Sequence, residues 1–213
     1  MMRYLLNIVF VCCLVSSAFA QTRVVAECTV SFAIRVNNES QIDKDAVALL
    51  KQSSKTVYIK GNNSRSDLTS PSFSQSLIYN KANGNAVILR EIGANKFLTK
   101  IEAAKWLKQN EKFSDMLIQF TEEKKQILGY DCKHAVMQLK DGSTFSVYYA
   151  STITPSVREF EYQFKDIPGF VLEYEAKDGY TQKITYTATK INFNPVSAAK
   201  FEIPTTGYRL LND

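Results

Sequence analysis

The segment VVAECTVSFAIRV, from Val24 to Val36, alternates between apolar and polar side chains. From Cys28 to Ile34 every second residue is apolar, and the residues between them are mostly polar. A period of two places the apolar side chains on one face of an extended strand. The segment therefore predicts an antiparallel strand with one face covered by the protein core and the other facing water.

Further segments of the same kind follow along the chain, separated by Asn, Gly, Ser or Pro residues. They are rich in Tyr, Phe, Thr, Val and Ile, which strands favour. Turns of hairpin length, such as KDGS and KDGY, join the later segments and predict a meandering antiparallel sheet. The predicted strands cover 55–61, 74–80, 85–92 and 96–102, followed by DMLIQFTEEKK, HAVMQLKD, STFSVYYAS, REFEYQFKD, GFVLEYEAKD and YTQKITYTATKINF.

Two segments have helical periodicity instead. In IDKDAVALLKQ the apolar residues Ile42, Ala46 and Leu49 share one side of a helix, and in AAKWLKQNEKF the apolar side includes Trp106. Neither helix is long enough to form the core alone. The sequence therefore predicts one α+β domain over residues 21–213, with short helices over one face of a large antiparallel sheet.

The N-terminus predicts where the protein is found. Arg3 precedes the apolar stretch LLNIVFVCCLV, and SAFA ends at Ala20 in the pattern of a signal-peptide cleavage site. The apolar stretch is shorter than the ~20 residues that a membrane-spanning helix needs. We therefore expect a cleaved Sec signal peptide over residues 1–20, no transmembrane segment, and a periplasmic or secreted mature protein.

Charged residues give no indication of a nucleic-acid partner. The chain of 213 residues has 26 Lys and Arg against 21 Asp and Glu, and the basic residues are scattered. A nucleic-acid or anionic-membrane surface typically concentrates basic residues in one run or patch. We expect a solvated surface of mixed charge.

The predicted sheet has an unusually aromatic face that two short helices could cover only in part. A wide apolar face covered incompletely can enclose a cavity for an apolar ligand. The alternative is that these side chains pack against one another in a filled core. The residues predicted to line the cavity are Phe32, Ile34, Trp106, Phe145, Val147, Tyr149, Tyr162, Phe164 and Tyr174.

Two cysteines remain after the predicted signal peptide, Cys28 and Cys132, and in an oxidising compartment they most simply form one disulfide. The strand pattern leaves an alternative open. Cys28 lies on the apolar face of its strand, whereas Cys132 shares a face with Gln138 and Lys140. Either a bulge near Gly129 turns Cys132 inward, or the two thiols are free.

His134 is the only histidine in the chain and lies two residues after Cys132. The pair could be a nucleophile with its base, but a disulfide would consume the thiol and no sharp turn presents it. We therefore predict no catalytic residues and interpret His134 as a surface strand residue. The sequence has no zinc-ligand spacing and no glycine-rich phosphate loop, so we predict no metal site and no cofactor.

Three segments together resemble the GLPGLI-type family of secreted envelope proteins from Gram-negative bacteria. They are QILGYDCKHA at 126–135, DIPGFVLEYE at 166–175 and FEIPTTGYRLL at 201–211. Pro168 and Gly169 match the family signature, whereas Asp166 replaces its first glycine. The Pro-Gly pair would form a tight bend between two strands.

The resemblance implies a domain of unknown function whose fold is similar to the LolA-like lipoprotein carriers. That fold is a strongly curved antiparallel half-barrel with a few short helices on its concave face, around an apolar cavity. We therefore expect a non-enzymatic envelope protein that binds a lipid, an acyl chain or another apolar ligand. The alternative is an interaction module with a filled core, whose partner is an envelope protein.

Overall fold

The computed structural model describes residues 22–36, 44–177 and 183–211. The predicted signal peptide, residues 1–20, lies outside the described residues, and so does Ile42 of the first predicted helix.

Strands dominate the described part of the chain, and two short α-helices interrupt them. The helices are α1 (Lys44–Lys51) and α2 (Ala103–Gln109). The strands are β1 (Arg23–Val25), β2 (Glu27–Val36), β3 (Ser54–Lys60), β4 (Asn63–Thr69), β5 (Phe73–Asn80), β6 (Ala86–Ile92), β7 (Asn95–Ile101), β8 (Leu117–Ile127), β9 (Tyr130–Gln138), β10 (Thr144–Ala150), β11 (Ile153–Pro155), β12 (Phe170–Lys177), β13 (Lys183–Asn192) and β14 (Arg209–Leu210).

Twelve of these strands form one open sheet in the order β14-β7-β6-β5-β4-β3-β2-β13-β12-β10-β9-β8. Neighbouring strands are antiparallel, except that β14 pairs with β7 in parallel. Strands β1 and β11 form a separate two-stranded parallel sheet. The large antiparallel sheet of an α+β domain, predicted from the sequence, is confirmed.

One face of the sheet carries the main core, and we call it the inner face. Cys28, Val30 and Phe32 of β2 are buried there beside Val57 and Ile59 of β3. The polar residues between them point to the opposite, outer face, as the alternation of β2 predicts. The predicted strand at 24–36 is interrupted at Ala26, because β1 leaves the large sheet to pair with β11.

Residues 158–164 cover the middle of the inner face, and we call them the inner segment. The sequence predicted a strand here, which is wrong: Arg158–Phe160 and Tyr162–Phe164 are 3₁₀ turns. The alternating rings of Phe160, Tyr162 and Phe164 are all buried, but their backbone bonds are local. For example, the Phe164 N–H donates to the Glu161 carbonyl oxygen at 2.9 Å. Alternating aromatic residues can therefore all be buried in the core without pairing of their backbone with a neighbouring strand.

Helix α2 completes the cover of the inner face. Its Trp106 is buried and packs against Tyr79 of β5 and Tyr162 of the inner segment, with ring centroids 5.9 Å and 6.2 Å away. Helix α1 contacts β2. A few short helices over one face of the sheet were predicted. The inner segment, predicted as a strand of the sheet, is a further part of the layer that covers this face.

The C-terminal part of the chain returns over the outer face. Phe201 and Tyr208 pack there against four buried residues of β5, β6 and β7, and β14 then extends the sheet beside β7. The four residues are Ile78, Val87, Leu89 and Leu98. This outer cluster is separate from the core of the inner face.

Gly169, in the predicted Pro-Gly bend, lies against the neighbouring strand β10. A Cβ atom added to Gly169 would lie 2.4 Å from the Ala150 carbonyl oxygen and 2.7 Å from Cδ2 of Tyr149. Both distances are shorter than the contacts that real Cβ atoms make, so no side chain fits at this position. The glycine is required by this close approach of two backbones.

We expect Gly169→Ala to destabilise the protein by about 1–3 kcal/mol, because the added methyl group must displace backbone of β10. Urea unfolding followed by tryptophan fluorescence measures the change. Lys108→Ala is the control, because Lys108 is exposed on α2 and alanine is favourable in a helix. Equal stability of wild type and Gly169→Ala would contradict the close approach.

Candidate functional site

The structure brings most of the predicted cavity residues together, but as a packed core. Phe32 and Phe164 both contact the ring of Tyr174, with centroid distances of 6.0 Å and 4.9 Å. Eight of the nine residues are buried, and Phe145 is half-buried. The middle of the inner face is therefore filled by side chains, and the openings lie around its margin.

Four of the predicted residues border openings to solvent. Phe145 borders a cavity of about 430 Å³ and Ile34 one of about 180 Å³. Tyr149 borders a cavity of about 360 Å³ near β8, and Tyr174 a small one of about 150 Å³. Their role as ligand contacts stays a prediction.

A buried lysine, which was not predicted from the sequence, lies at the centre of this region. Lys55 of β3 is 8% exposed, and its Nζ donates to the Tyr174 hydroxyl at 2.6 Å and to the Glu161 carboxylate. The Ser66 hydroxyl donates to the same carboxylate at 3.3 Å. The one signal in the sequence is that Lys55 shares a strand face with Val57 and Ile59.

The ring faces of two tyrosines complete the surroundings of the Lys55 ammonium group. Its Nζ lies 5.3 Å from the ring centroid of Tyr174 and 4.9 Å from that of Tyr186, within the range of cation–π attraction. Burial, and then the charge of Glu161, raises the pKa of Tyr174 well above its ordinary value. Tyr174 therefore stays a neutral hydroxyl that accepts from the ammonium group.

The Lys55–Glu161 pair ties the inner segment to the sheet. Glu161 lies between the two 3₁₀ turns, and Lys55 lies on β3. A charge removed from water is stable only when an opposite charge and hydrogen bonds compensate it. The pair therefore fixes the position of the inner segment, and with it the buried rings of that segment.

The two cavities bordered by Phe145 and Ile34 open next to this charged cluster. Glu161 borders the larger cavity, together with Phe113, Gln163 and Glu175. Tyr186, under the Lys55 ammonium group, borders the smaller one. The larger cavity is lined by polar and apolar groups in similar measure, whereas the smaller one is largely apolar.

The smaller cavity lies between α1 and the inner face, and we call it the groove. Leu49 and Leu50 of α1 form one wall, and Leu49 is 43% exposed. The apolar side of an amphipathic helix is normally buried. An exposed leucine beside an open apolar space therefore marks a surface that an apolar ligand can cover. The facing wall consists of Ile34, Leu68, Phe73 and Tyr186.

Both cysteines are recorded as free thiols and both are fully buried. Burial raises the pKa of Cys28 to about 12 and that of Cys132 to about 11. Strands β13, β12 and β10 lie between β2 and β9 in the sheet. The structure does not show the disulfide inferred from the sequence, and the pairing stays a prediction.

His134 is buried, so its interpretation as a surface residue is wrong. It is 8% exposed, and its Nδ1 lies 2.9 Å from the Thr121 hydroxyl and 3.7 Å from the Glu123 carboxylate. Its ring packs on Tyr148 with a centroid distance of 4.7 Å. The Cys132 thiol donates instead to the Tyr130 carbonyl oxygen at 3.6 Å, so histidine and thiol have separate partners.

The described ranges 22–36, 44–177 and 183–211 contain neither a residue group for a metal ion nor a helix for a membrane crossing. No group of three or more His, Cys, Asp or Glu residues there could hold a metal ion. No helix there has the length and apolar character that a membrane crossing requires.

We expect Lys55→Met to lower the free energy of unfolding by about 1–3 kcal/mol, because it leaves the half-buried Glu161 carboxylate without its cation. Adding Glu161→Gln should restore part of the loss by removing that charge. Urea unfolding measures both changes. The control is Lys60→Met on the same strand, whose partner Glu27 lies at the solvent-exposed margin. A loss for Lys55→Met no larger than for Lys60→Met would contradict the buried pair.

A thiol titration tests the state of the cysteines in protein that starts at Gln21. With both thiols free, the unfolded and unreduced protein should show two reactive thiols, and a disulfide would show none. The folded protein should react slowly at pH 8 even with free thiols, because burial raises the pKa of both and leaves them protonated. Fast reaction of the folded protein would contradict the burial.

Comparisons with known proteins leave the family open. No family model matches this chain, and no curated protein matches it either. Solved structures that are similar to it include PNGF-II in two crystal forms, with identities of 15% and 13% and TM-scores of 0.46 and 0.49. The alignments cover 86% and 87% of this chain, which spans about a third of PNGF-II, at 30% and 32%.

Two further structures are similar at lower scores. MucB is 9% identical with a TM-score of 0.43, over 84% of this chain and 58% of MucB. A LolA superfamily protein from Nitrosomonas europaea is 11% identical with a TM-score of 0.37, over 86% of this chain and 94% of that protein. Scores below 0.5 do not establish a shared fold, so the fold described above rests on the sheet itself. Membership of the GLPGLI-type family stays a prediction.

Proposed function

We propose that this protein is a non-enzymatic envelope protein, periplasmic or secreted, that binds the apolar part of a lipid or similar ligand. The observation that carries the proposal is the groove, an open cavity of about 180 Å³ between α1 and the inner face, with mainly apolar walls. Apolar surface that enters such a groove leaves water, which stabilises the complex by about 0.8 kcal/mol for each buried CH₂ group.

The polar groups of the groove support an apolar occupant. The groove has two serines, and their hydroxyls already have backbone partners. Ser53 donates to the Leu49 carbonyl oxygen at 2.8 Å, and Ser70 donates to the Phe73 carbonyl oxygen at 3.1 Å. The two serines therefore offer a ligand no unpaired donor that would demand a polar group.

The size of the groove indicates which part of a ligand it holds. Sites for whole small molecules usually measure about 300–1,000 Å³. The groove is smaller and open on one side, so it suits one segment of an acyl chain, while the polar end of the same molecule stays in water. Lys55, above the ring of Tyr186, places a buried cation near the inner end of the groove.

The chemistry of the described residues supports a role without catalysis. The residues that line the groove include no histidine, cysteine or carboxylate among those described. Burial raises the pKa of both thiols, which makes them poor nucleophiles. His134 bonds to Thr121, whereas the Cys132 thiol donates to the Tyr130 carbonyl oxygen.

A second candidate function is a module that binds an envelope protein through the edge of the sheet. Two observations favour it: the middle of the inner face is filled, and β8 is an edge strand with Leu117 and Phe120 exposed at 65% and 53%. Exposed edge strands can pair with a strand of another chain.

Leu68→Asp should weaken the binding of a dansyl-labelled fatty acid by about tenfold or more, because a carboxylate in the apolar wall must lose water when the chain enters. Fluorescence titration measures the affinity. Leu107→Asp is the matched control, since Leu107 of α2 is exposed and lies outside the groove. We expect wild-type affinity for this control.

The same titration separates the two candidates. Equal affinity of Leu68→Asp and wild type, with both proteins folded by circular dichroism, would contradict binding in the groove. Native mass spectra of protein from its own envelope add an independent test. A mass that falls after organic extraction supports a bound lipid, and a clean mass in every preparation favours the interaction module.

A further inference from the structure

We propose a second ligand site, for a saccharide, on the outer face of the sheet at the ends of β4 to β7. A cavity of about 310 Å³ opens there between the hairpin that joins β5 to β6 and the C-terminal segment that returns over the outer face. Its size falls in the range of small-molecule sites. Four of the side chains that line it are asparagines: Asn63, Asn80, Asn83 and Asn85.

The hydrogen bonds of these asparagines fix which way each amide faces. The Asn80 Oδ1 accepts from the Ala82 and Asn83 backbone N–H groups at 2.9 Å and 3.2 Å. The Asn83 Oδ1 accepts from the Asn85 N–H at 3.0 Å, and the Asn85 Oδ1 accepts from the Ala103 N–H at 3.0 Å. A carbonyl oxygen must face each N–H, so the NH₂ groups face away from the backbone.

Three of the amides keep their donors free of protein partners. The Asn80 Nδ2 donates to the Asn63 Oδ1 at 2.8 Å. This hydrogen bond uses the NH₂ group of Asn80 and orients the side-chain amide of Asn63. No acceptor for Nδ2 of Asn63, Asn83 or Asn85 exists within the described part of the chain. Three asparagines that line the cavity therefore keep NH₂ donors that a ligand can use.

The hairpin that carries these groups is held in place. Gly84 has a left-handed backbone with φ of 74°, and a Cβ there would lie 2.9 Å from Cβ of Ala103. This close approach, together with the hydrogen bond from the Ala103 N–H to Asn85, holds the hairpin against α2. The donors are therefore ordered before a ligand arrives, which lowers the entropy cost of binding.

The other walls of the cavity are apolar, and its rim has no net charge. Phe201 and Ile203 of the C-terminal segment line the cavity together with Ile78, whereas the exposed Lys100 and Glu102 carry opposite charges. An uncharged ligand with one apolar face and several oxygen acceptors matches these walls. A pyranose ring has that character, because its C–H groups cover one face and its hydroxyl and acetamido oxygens accept hydrogen bonds.

The test uses side-chain amide NMR signals of ¹⁵N-labelled protein. Glucose, galactose, mannose, N-acetylglucosamine and their short oligomers are titrated singly. We expect at least one of them to shift the Asn83 and Asn85 NH₂ signals saturably, with a dissociation constant of about 1 mM or tighter. Asn83→Asp and Asn85→Asp should each weaken that binding by about tenfold, since aspartate keeps the accepting oxygen and removes the donor.

Asn95→Asp is the matched control, because it adds the same charge at the far end of β7 and should leave the affinity unchanged. No saturable shift with any sugar overturns the proposal. Equal weakening by all three substitutions, or by none, overturns it as well. Binding of the dansyl-labelled fatty acid should be unaffected by Asn83→Asp. The saccharide site and the groove are therefore tested independently of each other.

Discussion

The ion pair of the buried Lys55 with the half-buried Glu161 is the interaction on which the cover of the inner face depends. A twelve-stranded sheet with one apolar face needs a cover, and two helices of eight and seven residues are too small to provide it. The inner segment supplies the rest by pointing three aromatic rings into the core, and the ion pair holds it there. The Tyr174 hydroxyl and the rings around Lys55 compensate the buried charge.

Because the inner segment fills the middle of the face, the openings described above lie toward its margins. The groove under α1 is one such space, and its exposed Leu49 and satisfied serine hydroxyls suit an apolar chain. The cavity beside the Asn80–Asn85 hairpin is different in kind, because its free amide donors suit hydroxyl groups. The groove lies on the inner face of the sheet, and the asparagine-lined cavity lies on the outer face.

The alternation of β2 and the hairpin turns were sufficient to predict the antiparallel sheet, because burial of one face imposes a period of two. The same pattern failed at 158–164. The rings of Phe160, Tyr162 and Phe164 are buried in the core from 3₁₀ turns, just as they would be from a strand. The local sequence does not show that the backbone of this segment forms local hydrogen bonds in place of strand pairing. Lys55 was missed because charge usually marks a solvent face, and its partner Glu161 is distant in sequence. Most of the aromatic residues predicted to line a cavity were placed on the correct face, but whether they pack or enclose space depends on the inner segment.

The central claim is that an apolar chain lies between α1 and the inner face, and a crystal structure with a brominated dodecanoic acid tests it most directly. The account predicts an anomalous bromine peak beside Leu50, Leu68 and Tyr186, with the inner segment unmoved and Lys55 still bonded to Glu161. A bromine peak among the buried rings of Phe32 and Phe164, with the inner segment displaced, would contradict it. A well-occupied peak on the outer face alone would contradict it as well.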